Sequence, residues 1–93
     1  MITHVVCFKF KDPASAQVAK EKLMALQGKI PELRHLEVGV DVVKSERSYH
    51  LALVAKFDSL DDLNAYQVHP DHVEVGKYIQ TVRESVVAVD FES

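Results

Sequence analysis

The chain has little cysteine, glycine or proline and no tryptophan: it contains one cysteine and three glycines among its 93 residues. The single Cys7 cannot form an internal disulfide, which fits a reducing compartment. Its sequence neighbours are apolar, so we interpret Cys7 as a small core residue, with a reactive thiol as the less favoured alternative. The glycines Gly28, Gly39 and Gly76 are isolated from one another, which excludes a glycine-rich phosphate loop.

A basic surplus and a long apolar run are also absent. The net charge is −3, and the lysines and arginines are scattered, so a nucleic-acid partner is not expected. No apolar run approaches the roughly 20 residues that span a bilayer. The segment 1–4 has neither a basic region nor a cleavage site, so we expect no signal peptide and no membrane partner. A hydrophobic fraction of 47% and a charged fraction of 27% indicate one globular domain over residues 1–93, which we expect to be cytoplasmic.

Strand-like and helix-like patterns alternate along the chain. Alternating side chains predict strands over 2–10 and 36–42, and largely apolar runs predict strands over 49–57 and 86–91. Asp12 as an N-cap with Pro13 behind it predicts a first helix that stops near Gly28. Ser59 and Asp62 form an acidic capping box, which predicts a helix from Leu60. That helix should break before Pro70 and resume at Asp71.

The order strand, helix, strand, strand, helix, strand predicts an α+β fold of the ferredoxin-like βαββαβ type. Its helices can cover only one face of the sheet. The strands nevertheless carry apolar residues on both faces, as Val5 and Cys7 alternate with Val6 and Phe8. Burying the second face against another copy of the sheet avoids a large exposed apolar patch, so we expect a homodimer.

Two imidazoles and a phenol lie in the segment 66–72, and a third imidazole, His4, lies in the first strand. His72 begins the apolar stripe of its helix, and Tyr66 should point the same way from the turn before it. If His4 faces the helices, the three side chains can meet in one pocket. A buried neutral histidine and a phenol suit proton abstraction next to a carbonyl without a cofactor.

Each of these residues also has a plain structural interpretation. His72 can satisfy backbone groups at the helix start, Tyr66 can be a core aromatic, and His4 can pair with a neighbouring strand. A metal site is the next alternative, because His69 and His72 lie three residues apart and His4 or His50 could add a ligand. The segment has no His-Glu-x-x-His motif, so we expect no metal.

Two segments together resemble the stress-responsive dimeric A/B barrel (Dabb) domain family. They are the opening Thr3-His4-Val5-Val6-Cys7-Phe8-Lys9-Phe10-Lys11 and the turn Ala65-Tyr66-Gln67-Val68-His69-Pro70-Asp71-His72. Shorter matches lie at 30–31, 38–39, 51–54 and 57–60. The resemblance implies a ferredoxin-like chain that dimerises into an α+β barrel.

The family includes a plant polyketide cyclase that closes a ring by an aldol reaction without a cofactor. The resemblance implies that His72 acts as the base, that Tyr66 holds the thioester or enolate oxygen, and that His4 helps to orient the substrate. It also matches His50 to a further pocket histidine. The cyclase carries large aromatics on its first helix, where this chain has Ala19 and Leu23.

Three functional hypotheses follow for this homodimer. The first is a pocket for a small aromatic or polyketide-like ligand, the second is a cofactor-free cyclase-like enzyme, and the third is a structural stress protein. A pocket closed by Phe8, Phe10 or Tyr78 would favour the third hypothesis. The predicted catalytic residues are His4, Tyr66 and His72, and the predicted ligand-binding residues are Phe8, Leu23, His50, His69, Val75 and Ile79.

Overall fold

Four antiparallel strands form one sheet, and three helices lie against one of its faces. The computed structural model describes residues 1–93. Its elements are β1 (Ile2–Phe10), α1 (Ser15–Met24), β2 (His35–Val40), β3 (Leu51–Phe57), α2 (Leu60–Val68), α3 (Pro70–Val82) and β4 (Arg83–Glu92). The strand order is β2-β3-β1-β4. This is the predicted ferredoxin-like α+β fold.

Strand β1 lies in the centre of the sheet and pairs with β3 on one side and β4 on the other. Its side chains at alternate positions, from His4 to Phe10, face the helices and are buried. His4 lies opposite Ala55 of β3 and Asp90 of β4. The register therefore places an imidazole between a methyl group and a carboxylate on the covered face.

Helix α1 packs on the sheet through the small and branched side chains that its period predicted. Ala16, Ala19 and Leu23 are buried along one stripe. The helix starts at Ser15, later than predicted, because residues 12–14 form a turn in which Asp12 accepts a hydrogen bond from the Ala14 amide at 3.0 Å.

Helices α2 and α3 meet at a sharp break. Ser59 caps α2 by accepting a hydrogen bond from the Asp62 amide at 3.2 Å, as the capping box predicted. His69 is extended, with ψ at 135°, because the following proline disfavours helical geometry. The second helix begins at Pro70 itself, one residue earlier than predicted.

Strand β2 ends at Val40 and not at Val42, although the alternation continues. The Asp41 carboxylate accepts a hydrogen bond from the Lys44 amide at 2.6 Å, which closes a turn and carries the chain out of the sheet. Lys44 itself has a φ of 58°. Val42 and Val43 are therefore 87% and 73% exposed, since they have no strand beside them.

Strand β3 begins at Leu51 and not at Tyr49, because its pairing with β2 ends at the Val40–Leu51 pair. Strand β4 begins earlier than the predicted Val86. It starts at Arg83, which pairs with Phe10 beyond a register shift in β1.

The face of the sheet opposite the helices is apolar and open. Val87, Val89 and Phe91 of β4 are 50%, 63% and 46% exposed there. Val5 and Cys7 of β1 lie beside them and are half-buried. Apolar residues thus occupy both faces of the sheet, as the sequence predicted. None of the three helices has the length and apolar character needed to cross a membrane.

Candidate functional site

A cleft of about 330 Å³ opens between the helices and the covered face of the sheet. Strand β1 supplies one wall and α3 the other. The predicted residues that line the cleft are His4, Phe8, Leu23, Tyr66, His72, Val75 and Ile79. The sequence therefore located this cleft, while the roles of its residues stay a prediction.

Tyr66 supplies the only buried side-chain polar atom in the protein that has no hydrogen-bond partner. The residue is 0% exposed, and burial raises the pKa of its hydroxyl to about 12. At neutral pH the group is therefore a protonated phenol with an unused donor. An unpaired buried hydroxyl is unfavourable, because it has lost its hydrogen bonds to water and gained none in the protein.

His72 lies in the first turn of α3, where its Nδ1 is 3.2 Å from the carbonyl oxygen of Gln67. A carbonyl only accepts, so Nδ1 carries the proton and the neutral ring keeps its lone pair on Nε2. Burial lowers the pKa of His72, and the nearby His4 and His69 lower it further against the opposing effect of the Gln67 bond. His72 is thus a neutral ring with a free basic nitrogen.

His4 is held by Asp90, whose carboxylate contacts its Nδ1. An ionised carboxylate accepts, so this contact also leaves the lone pair of neutral His4 on Nε2. This contact orients the His4 ring. Asp90 was not among the predicted site residues. An acidic residue on the apolar strand next to β1 was the available signal.

The three rings form a contiguous group. The Tyr66 and His72 ring centroids are 4.3 Å apart, and those of His4 and Tyr66 are 6.4 Å apart with an edge-to-face angle of 69°. The ring of Phe57 also packs against that of Tyr66, with centroids 5.0 Å apart. Tyr66 thus contacts the ring of His72 and lies near that of His4, next to an apolar aromatic side chain.

His50 lies outside this cleft. Its Nδ1 accepts a hydrogen bond from the Phe10 amide at 2.9 Å, and its ring stacks on that of Phe10. It borders a separate hollow beside Asp41 and Lys44. The backbone bond at the start of β3 explains why the ring is drawn away from the three-ring group.

His69 is not part of the cleft lining either. Its Nδ1 accepts a hydrogen bond from the Asp71 amide at 3.1 Å, so it serves as the N-cap of α3. No three histidine, cysteine or acidic side chains in the protein come together as a metal site. The spacing of His69 and His72 thus reflects the helix start.

Further polar or small residues of the cleft escaped the sequence analysis. They are Gln67, Gly76, Gln80 and Arg83. Gly76, Gln80 and Arg83 follow His72 at helical spacing, so they continue the stripe that was traced through its apolar members alone. Helical periodicity was therefore the signal that could have found them.

Residues 2–93 of the chain match the protein family described as the stress responsive A/B barrel domain. The chain belongs to this family. It is 31% identical to the stress-response A/B barrel domain-containing protein DABB1 of Arabidopsis thaliana over 98% of its own length. It spans only 46% of DABB1, less than half of that relative.

Two further comparisons cover nearly whole chains. A dimeric protein of unknown function from Bacteroides fragilis, with a ferredoxin-like fold, is 35% identical and superposes with a TM-score of 0.89 over 99% of this chain and 95% of that one. Olivetolic acid cyclase of Cannabis sativa is 26% identical over 97% of this chain and 94% of the cyclase. The first comparison supports the fold, and the protein compared is described as dimeric. The second comparison is with a named enzyme.

Proposed function

We propose that this A/B barrel protein binds a small aromatic or polyketide-like molecule in the cleft beside Tyr66. The buried Tyr66 hydroxyl without a partner is the observation that carries the proposal. A phenolic or carbonyl oxygen of a ligand would accept its hydrogen bond and remove the desolvation penalty of the free protein.

The shape and lining of the cleft support a small ligand. Its volume lies at the lower end of the range for small-molecule pockets. Phe8, Val75 and Ile79 give it apolar walls that suit an aromatic ring or a short chain. Phe10 and Tyr78 do not line the cleft and therefore do not close it, whereas a closed pocket would favour a purely structural role.

Gly76 offers a direct test, because it lines the cleft and a Cβ added there would meet no atom within 4 Å. Gly76→Ala should bind phenolic ligands and gain about 1 kcal/mol of stability from its helix propensity. Gly76→Leu should keep the fold but fill the cleft and lose binding, as measured by calorimetric titration with a panel of phenolic ketones. Unchanged binding by the leucine variant would place the ligand elsewhere and reject the proposal.

A second candidate function is cofactor-free proton transfer, which the tautomer and lowered pKa of His72 favour. In this step His72 Nε2 takes a proton from the carbon next to a substrate carbonyl. The electron pair moves onto the carbonyl oxygen, where the Tyr66 hydroxyl donates a hydrogen bond to the enolate. His4, oriented by Asp90, is placed to exchange a second proton. The similarity to olivetolic acid cyclase supports this candidate.

Solvent deuterium exchange separates the enzyme from the binder. The wild-type protein should catalyse deuterium incorporation into a bound β-diketone, and His72→Gln should lose at least about a hundredfold of that rate while it retains the ligand. If the wild-type protein binds the diketone and does not accelerate exchange, the proton-transfer function is wrong and the binding function remains.

We also infer that the open face of the sheet packs against a second copy of the chain. The exposed valines and Phe91 of β4 form a continuous apolar surface with Val5 and Cys7. Two such sheets packed face to face would bury these side chains in one closed interface. The dimeric relative from Bacteroides fragilis supports this arrangement.

A further inference from the structure

We propose that the cleft selects a ligand that carries a carboxylate, and that Arg83 binds this carboxylate at the end of the cleft away from His72. The inference rests on the proposed binding function and adds the chemical class of the ligand. Arg83 is a half-buried residue that forms no ion pair within the chain.

Arg83 lines the same cleft as His4, Tyr66 and His72. It takes part in none of the ion pairs of the chain, and its guanidinium makes no hydrogen bond. No aspartate or glutamate lines the cleft. Arg83 borders the cleft without a carboxylate partner, whereas the surface Arg34 is paired with Asp58 at 2.9 Å. The free cation therefore favours an anionic ligand group.

The two ends of the cleft are well separated. His72 lies in the first turn of α3 and Arg83 directly follows its last residue, so the helix rise puts them roughly 16 Å apart. The sheet register agrees, since Arg83 pairs with Phe10 at one end of β1 while Asp90 pairs with His4 near the other. A ligand that uses both ends must be elongated.

The groups between the ends define the middle of this ligand. Phe8, Val75 and Ile79 supply apolar walls there, and Gln80 lies near Arg83 on the helix. A guanidinium binds a carboxylate through two parallel hydrogen bonds, while Tyr66 addresses a neutral oxygen. The matching molecule has a carboxylate, an apolar middle and a phenol or ketone at the far end.

Paired probes test this assignment. The probes are ω-(4-hydroxyphenyl)alkanoic acids of increasing chain length, each with its uncharged primary amide, titrated by calorimetry at pH 7.5. In the wild-type protein the best acid should bind at least about tenfold more tightly than its amide, the scale of one charged hydrogen bond. Arg83→Gln should abolish that ratio by weakening the binding of the acid far more than that of the amide.

Lys77→Gln is the matched control, because it removes one positive charge from the exposed face of the same helix, outside the cleft. It should preserve the ratio of acid to amide affinity. Arg83→Lys keeps the charge at the site without the paired geometry and should retain only part of the ratio. This second variant serves if the glutamine variant does not fold.

Three results would overturn the inference. Equal affinities of acids and amides in the wild-type protein would reject the carboxylate and leave the binding function intact. A lower stability of Arg83→Gln with an unchanged ratio would show that Arg83 serves only the C-terminal end of α3. Failure of every probe to bind would reject the binding function together with the inference.

Discussion

At the scale of single residues, Tyr66 supplies a hydrogen-bond donor to the site and His72 supplies a proton acceptor. The phenol keeps its proton because burial raises its pKa to about 12, while the imidazole gives up its proton readily because burial lowers its pKa. Both shifts have the same cause, the removal of the charged form from water. The packing that holds the rings 4.3 Å apart therefore also sets their protonation.

Tyr66→Phe should weaken ligand binding without lowering the stability of the fold. Removing a buried hydroxyl without a partner should leave the free energy of unfolding unchanged or raise it by about 1 kcal/mol, as measured by urea denaturation. The affinity for phenolic ligands should fall at least about fivefold. Tyr78→Phe, at a half-buried position outside the cleft, is the control and should leave the affinity unchanged. A Tyr66→Phe protein that is less stable would show that the hydroxyl has a structural partner.

The lowered pKa of His72 makes stability depend on pH. A histidine in the unfolded chain titrates near 6.5, and the folded value lies below it. Between the two values the unfolded chain binds a proton that the folded protein does not, so the free energy of unfolding should decrease as the pH falls below about 6.5. The decrease should level off below the folded pKa.

Urea denaturation between pH 7.5 and pH 5 measures this dependence. Over that range the free energy of unfolding of the wild-type protein should fall more steeply with decreasing pH than that of His72→Gln, which lacks the titrating group. Equal slopes would mean that the pKa of His72 does not differ between the folded and unfolded states.

The side chains whose placement at the cleft agrees with the sequence prediction share one property. The periodicity of the sequence is enough to assign His4, Tyr66 and His72 to one face of their strand or helix. Side chains alternate between the faces of a strand, and those on one face of a helix recur every three or four residues. Arg83 follows His72 at helical spacing and could have been found from that period, whereas the contact of Asp90 with His4 depends on β4 becoming the neighbour of β1 in this register. His50 has the right side chain, but the Phe10 amide across the strand pair holds its ring outside the cleft.

At the scale of elements, the break between α2 and α3 positions the site. Pro70 forces His69 into extended geometry, and the new helix then starts on the His69 cap. This geometry sets His72 against Tyr66 across the break. The capping box and the proline made the break predictable to within one residue. The end of β2 and the start of β3 were not predictable, because the turn closed by Asp41 interrupts an alternation that continues to Val42.

His69 should prove to be a cap rather than a ligand-binding residue. His69→Asn preserves an acceptor at the N-cap and should keep both stability and ligand affinity, whereas His69→Ala should lose about 1 kcal/mol of unfolding free energy. Urea denaturation and calorimetric titration of the two variants separate the roles. If His69→Asn is fully stable and binds ligand much more weakly, His69 contacts the ligand directly.

At the scale of the whole molecule, the sheet has two apolar faces and the helices cover only one. The sequence carried this feature because β1 is apolar in both phases of its alternation. The sequence of a single strand does not determine the relative orientation of two copies, because that orientation depends on the twist of the assembled sheet.

Val89→Lys should convert a dimer into a monomer, because it places a charge in the centre of the open apolar face. Val68→Lys, an exposed valine at the end of α2, is the control and should remain dimeric. Sedimentation equilibrium gives the mass directly. A wild-type protein of monomer mass at micromolar concentration, or a dimeric Val89→Lys protein, would refute the open-face interface.

The most direct test of the three-ring site is a nitrogen-15 NMR spectrum of the five imidazoles, recorded at pH 7.5 with and without a phenolic ketone. The account predicts that His72 is neutral, with its proton on Nδ1, and that the ligand shifts the signals of His72 and His4 but not that of the exposed His35. A His72 ring with its proton on Nε2, or five rings that do not respond to any ligand while the protein stays folded, would contradict it.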